Sequence, residues 1–223
     1  MTPSDICVVI PVLNEAAGIA ATIESARDAG QVIIVDGGSS DATLKIAEAF
    51  AGVEIIVSPR GRGTQIAAGV RQSNRRVLLF LHGDCRLSPG SLLQVAKAVD
   101  AGRSWGALRQ RIDALGFRYR ILECGNALRV TMRGVPLGDQ AIFVCRELLD
   151  QVGGVEQIPL LEDLRLSKRL RRVAWPILSD GLVIISARRW AMRGVVRQTL
   201  RNQLILFLHA VGISPEMLAK IYR

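Results

Sequence analysis

At 223 residues, with 49% apolar and 22% charged side chains, the chain is long enough for one substantial core and too apolar to stay disordered. Its net charge of +9 suits phosphorylated small molecules, anionic lipid or nucleic acid, but with aromatics at only 4% the stacking platforms of a nucleic-acid binder are lacking, and no nucleic-acid partner is expected. Cys7, Cys85, Cys124 and Cys145 are scattered and the only histidines are His82 and His209, which argues against a zinc or disulfide framework and for a reducing, cytoplasmic setting.

No basic segment precedes the first apolar run, so no signal peptide is expected. Ile6–Ile10, stopped by Pro11, reads as a buried strand. Asn14 is placed to cap a helix that begins at Glu15 and stops at Gly30. Val32–Val35 is a second strand and closes in the polar, glycine-rich loop Asp36–Thr43, after which Leu44–Phe50 reads as helix. Val53–Val57 is a third strand, followed by Pro59–Gly63 and a helix over Thr64–Gln72. The fourth strand, Val77–Leu81, ends in His82-Gly83-Asp84, and Ser88–Ala101 follows as a helix with Pro89 at its first position.

The second half is less regular. Ser104–Ile112 and Ala141–Cys145 suit strands, Phe117–Met132 and Arg146–Val152 helices, with Gly138-Asp139-Gln140 between them. Leu161–Arg172 has leucines near helical spacing, Ile177–Ile185 is a late strand, and a last helix runs from about Trp190 to Val211. The longest uncharged stretch, Asn202–Pro215, would make a helix of about 21 Å, short of the roughly 30 Å of a bilayer core. Nothing is expected to span a membrane.

Four alternations of strand and helix predict an α/β fold with a mainly parallel sheet and helices on both faces, shared by both halves of the chain. The loops at Asn14, Asp36–Asp41 and Asp84 each follow a strand, so they gather along the edge where such sheets bind ligands. A classical dinucleotide fold is rejected, because Gly61-Arg62-Gly63 lies after the third strand and Ile66 occupies the third glycine position; no Walker loop occurs either. A nucleotide site of another kind remains. Asp36 can accept hydrogen bonds from a base or ribose, Gly37 and Gly38 allow close approach, Arg60 and Arg62 can neutralise a diphosphate, and Asp84 can hold a bridging divalent metal. Taken singly, Asp36 reads equally as an Asp-Gly turn and the arginines as solvated charges. Their occurrence at successive strand ends favours the site.

Val9–Glu15 (VIPVLNE), Asp36–Thr43 (DGGSSDAT), Gly61–Gly63 (GRG), Leu81–Asp84 (LHGD) and Glu162–Leu164 (EDL) occur in the order found in family 2 glycosyltransferases, and the chain resembles a compact bacterial member of that family over at least residues 6–172. The resemblance implies a GT-A fold with a Rossmann-like sheet; length and composition suit a single domain over 1–223, within which the arginine spacing reads 189–223 as a basic amphipathic C-terminal helical segment. It implies nucleotide-sugar binding by Pro11, Asn14, Glu15, Asp36, Gly37, Ser39, Asp41, Arg60, Arg62, Gly63 and Asp84. UDP-sugars are the family's commonest donors, with GDP- and dTDP-sugars also used. Asp84 matches the last carboxylate of the family's Asp-x-Asp metal motif, whose first place is taken here by His82. Mn²⁺ or Mg²⁺ is the implied cofactor, and an imidazole in place of a carboxylate bears on which ion is held. His82 reads equally as a structural histidine at a strand end.

By the same resemblance Glu162 and Asp163 form the catalytic pair, Asp163 taking the proton from an acceptor hydroxyl in an inverting transfer. Both acids would also suit the first turn of a helix through its dipole. Asp139 and Gln140 are placed near sugar or acceptor hydroxyls, or in a simple Gly-Asp turn. Arg189, Arg193, Arg197 and Arg201 recur every four residues on the last helix, with Val195, Val196, Leu200 and Leu204 on another face. Such a helix either lies on anionic lipid, peripheral to the inner membrane face, or packs its apolar face on the sheet; packing is preferred. A protein that binds a nucleotide or an anionic surface without catalysing transfer is the alternative of a different class.

Overall fold

The computed structural model describes residues 1–222, and the side chains of all of these except Arg189, Arg193, Ile221 and Tyr222. The strands are β1 (Ile6–Val12), β2 (Gln31–Asp36), β3 (Val53–Val57), β4 (Val77–Phe80), β5 (Cys85–Leu87), β6 (Trp105–Ile112), β7 (Phe143–Cys145) and β8 (Ile177–Ile185). They form one eight-stranded sheet in the order β3-β2-β1-β4-β7-β6-β8-β5. β1 pairs in parallel with β2 and β4, β2 with β3, and β6 with β8. β7 and β5 alone run against their neighbours, so the sheet is mixed but mostly of one direction. Both halves of the chain contribute to it.

The helices are α1 (Ile19–Ser25), α2 (Thr43–Glu48), α3 (Arg62–Gln72), α4 (Ser91–Asp100), α5 (Phe117–Arg133), α6 (Arg146–Gln151), α7 (Glu162–Leu170), α8 (Arg188–Arg193), α9 (Val195–Ala210) and α10 (Pro215–Tyr222). All seven residues of β1 are buried because helices cover both faces of the sheet. Ile6, Val8, Ile10 and Val12 pack with Ile19 and Ile23 of α1 and Leu92 and Val95 of α4. Cys7 and Val9 point the other way, toward Ile66 and Val70 of α3 and Leu166 of α7. α3 lies close on the sheet at Gly69, where a Cβ would stand 2.4 Å from Val9 Cγ1. A smaller cluster of Val135, Leu161, Leu164, Ile205 and Leu218 ties α7 to α9 and α10. Among the described residues no helix is long and apolar enough to cross a membrane.

Four expectations are corrected. Asn14 caps no helix: it adopts φ 56°, and α1 starts four residues beyond Glu15, after a turn in which the Glu15 carbonyl accepts from Gly18 and Ile19. α4 starts at Ser91, because Gly90 turns left-handed at φ 79° and leaves Pro89 in the preceding turn. β5, unforeseen, forms the sheet edge against β8. The helix expected from Trp190 to Val211 is two: Gly194, with φ 79° and ψ 143°, separates α8 from α9, so the four arginines do not lie on one continuous helix, and α10 follows as a further helix. Arg189 and Arg193 lie outside the described side chains. α9 does pack on the protein, but through Gln198 and Ile205, while Val196, Leu200 and Leu204 face outward.

Candidate functional site

The loops after β1 and β2 are stapled to each other. Asn14 N–H donates to Ser39 Oγ at 2.9 Å, and Asn14 Oδ1 accepts from Ser40 N–H at 2.8 Å. Glu15 N–H donates to Thr43 Oγ1 at 2.8 Å and Ala16 N–H to Asp41 Oδ2 at 3.1 Å. The Thr43 hydroxyl and backbone N–H both bond the Asp41 carboxylate, which holds it below the usual carboxylate range. Asp36 is only 2% exposed and accepts from Gly38 N–H, Ser39 N–H and Ser39 Oγ–H. Asp36, Ser39 and Asp41 therefore shape this loop pair.

Pro11 lies within β1, buried opposite Val35. Gly37 faces the amide of Gln65, whose Nε2–H₂ donates to the carbonyls of Val12 and Val35 at 2.8 Å each and so ties α3 to the ends of β1 and β2. Gly63 is a packing glycine: a Cβ there would stand 2.3 Å from the Glu156 carbonyl oxygen. The absence of a side chain there lets the start of α3 lie against that carbonyl.

Around the end of β4 the expected residues meet. Arg60, Arg62, His82, Asp139 and Asp163 line one cavity of about 480 Å³, walled on its apolar side by Leu160, Leu161, Ile205 and Leu206. Asp163 stands in the first turn of α7 with Oδ2 accepting from Gly138 N–H and Oδ1 from Leu164 N–H, each at 2.7 Å. The adjoining Glu162 is 1% exposed and forms an ion pair with Arg62, whose side chain remains 32% exposed to the cavity. Burial pushes the Glu162 carboxyl up, opposed by Arg62. Asp139, also raised by burial and opposed by Arg129, accepts from Gln110 Nε2 at 2.7 Å. Gln140 is wholly buried, its oxygen accepting from Arg129 Nη2 and Leu137 N–H, so it braces the turn.

His82 also faces a neighbouring hollow with Asp84, Asp139, Gln198 and Asn202. There a ligating atom from each of His82, Asp84 and Cys85 lies within 4.8 Å of the others. A carboxylate with an imidazole and a thiol is a mixed set of hard and softer donors that fits a divalent ion.

Sequence reasoning missed Cys85, although it adjoins Asp84. It also missed the brace formed by Gln110, Asn126 and Arg129, and the wall supplied by Asn202, Ile205 and Leu206 of α9. The last two are tertiary contacts without a local signature. Among the described residues the only non-glycines with positive φ are Asn14, Ala141 and Leu161, all in loops around the site. Such outliers concentrate where surrounding structure holds a functional geometry.

Residues 7–145 match the family model described as Glycosyl transferase family 2. The chain is 35% identical to Glycosyltransferase AglJ of Haloferax volcanii over 137 residues, which are 60% of this chain and 42% of that protein. It spans less than half the length of the first curated relatives it matches. In fold it is similar to S. aureus TarS in complex with UDP, with a TM-score of 0.62 at 14% identity over 85% of this chain and 64% of the other, and to mannosyltransferase PcManGT from Pyrobaculum calidifontis in complex with GDP-Man and Mn²⁺, with the same score and identity over 81% of this chain and 56% of the other. These likenesses show the fold, which is GT-A. With more than half of its length matched by the family model, the chain belongs to glycosyl transferase family 2.

Proposed function

We propose that the chain moves a sugar from a nucleoside-diphosphate sugar, a UDP-sugar first among candidates, to an acceptor hydroxyl with inversion at the anomeric carbon. One observation carries this reading: Asp163 shares a cavity with His82, Asp139 and two arginines, and His82 links that cavity to Asp84. That UDP and GDP-Man occupy two proteins of the same fold supports a nucleotide donor.

Asp163 takes the acceptor proton. The acceptor oxygen forms a bond to the anomeric carbon as the bond from that carbon to the diphosphate oxygen breaks, and the electron pair leaves with the diphosphate. Two backbone N–H groups fix the Asp163 carboxylate for this task. Glu162 is a positioning residue, aiming Arg62 into the cavity, and Arg60 and Arg62 stabilise the developing negative charge. A divalent ion held by Asp84 and His82, with Cys85 beside them, would supply Lewis-acid stabilisation of the same diphosphate.

The test is transfer from a panel of UDP-, GDP- and dTDP-sugars, with product configuration read by NMR. Inverted product from wild type, and loss of turnover with nucleotide binding kept in Asp163→Asn, support the reading. Retained configuration, or full activity in Asp163→Asn, contradicts it.

A further inference from the structure

α9 turns the wrong face outward for an ordinary packed helix. Val196, Leu200, Leu204, Phe207 and Val211, at spacings of three and four, fall on one stripe and are each 51–64% exposed. The opposite face carries the buried Gln198 and Ile205. α5 repeats the pattern, with Phe117, Ile121, Leu128 and Met132 exposed along one side. The two regions adjoin. Tyr119 of α5 meets Trp190 of α8 edge to face, and Val135, just past α5, packs in one cluster with Ile205 of α9. Exposed apolar surface of this extent marks an interaction site.

Charge identifies what covers it. From Arg188 to the C-terminus the sequence has seven Lys and Arg and a single acid, Glu216, so this segment holds +6 of the net +9. A twofold dimer through the stripe would bring two such segments face to face, with like charges opposed. An anionic bilayer complements both features at once: apolar side chains enter the acyl boundary and basic ones meet the headgroups.

We infer that the stripe of α9, flanked by α5, is a docking surface for an anionic membrane. This goes beyond the proposed transfer chemistry and stands whether or not that holds. Because Asn202, Ile205 and Leu206 on the inner side of α9 line the Asp163 cavity, docking brings that cavity to about one helix diameter from the lipid.

The test is flotation of the full chain with vesicles of phosphatidylcholine alone or mixed with phosphatidylglycerol, at low and at physiological salt. Wild type floats with the anionic vesicles, less so as salt rises. The double variant Leu204→Asp, Phe207→Asp partitions at least about tenfold less, with a nearly unchanged melting temperature because more than half of each side chain is exposed to water. Three results would each overturn the inference: no flotation of wild type with anionic vesicles, equal flotation of the double variant, or a dimer in sedimentation equilibrium that these substitutions dissolve without any vesicle binding. Nucleotide titration of the same samples reports separately on the transfer site.

Discussion

Arg62, at the start of α3, and Glu162, at the start of α7, lie a hundred residues apart in sequence and form an ion pair beside the cavity that Arg62 and Asp163 line. The pair joins the start of α3 to the helix that carries Asp163. Glu162→Gln leaves Arg62 without its counter-charge. Since Arg62 is one-third exposed, water recovers part of the loss, and the expected cost is about 2 kcal/mol, below that of a fully buried pair. A denaturant titration measures it, and donor KM should rise as Arg62 loses its aim.

Gly63→Ala should cost about 2 kcal/mol without touching a ligand, because its Cβ meets a backbone carbonyl that cannot swing aside. Thermal melting reads this. Gly138→Ala separates the two effects differently. Its Cβ would lie 2.7 Å from His82 Nε2 and 3.1 Å from Asp163 Oδ2, side-chain atoms and not backbone, so stability should fall less than in Gly63→Ala while turnover falls at least about tenfold.

Asp139 gives a pH dependence with a defined sign. Burial raises its carboxyl above the ordinary 3.8, so the folded state holds the proton more tightly than the unfolded chain. Stability from this group is present in full below 3.8 and is lost as pH climbs through the raised value. Asp139→Asn should remove that slope in melts run across the acidic range. Persistence of the full slope in the variant would contradict the assignment.

The donor set at β4 predicts metal preference. With His82 and Cys85 beside Asp84, Mn²⁺ should strengthen nucleotide binding more than Mg²⁺ does. His82→Asp should narrow that gap by supplying a second hard oxygen donor. Calorimetric titration with each ion measures the difference.

β1, β2 and β4 were legible because burial on both faces writes a nearly unbroken apolar run, as in Val77–Phe80, and the edge strand β3 by its β-branched residues despite Glu54. β5 was not, since three residues reading Cys-Arg-Leu carry no period, and its partner β8 lies almost a hundred residues later. The loops at Asp36, Asp84 and Asp163 stood out by type and order. Their division of labour did not: that Asp36 bonds its own loop, that Gly63 makes room for a carbonyl and that Glu162 holds Arg62 depend on contacts between distant segments. The arginine spacing in the last helix continues across Gly194, where the backbone does not, and the outward apolar stripe of α9 appears only once the partners of Ile205 are known.

The most direct test of the central claim is calorimetric titration of the full chain with UDP, GDP, dTDP and CDP, each with and without Mn²⁺ or Mg²⁺. Selective binding of one nucleotide, UDP first, strengthened by metal and lost in Asp84→Ala, is the expected result. Absence of nucleotide binding under every condition would contradict it.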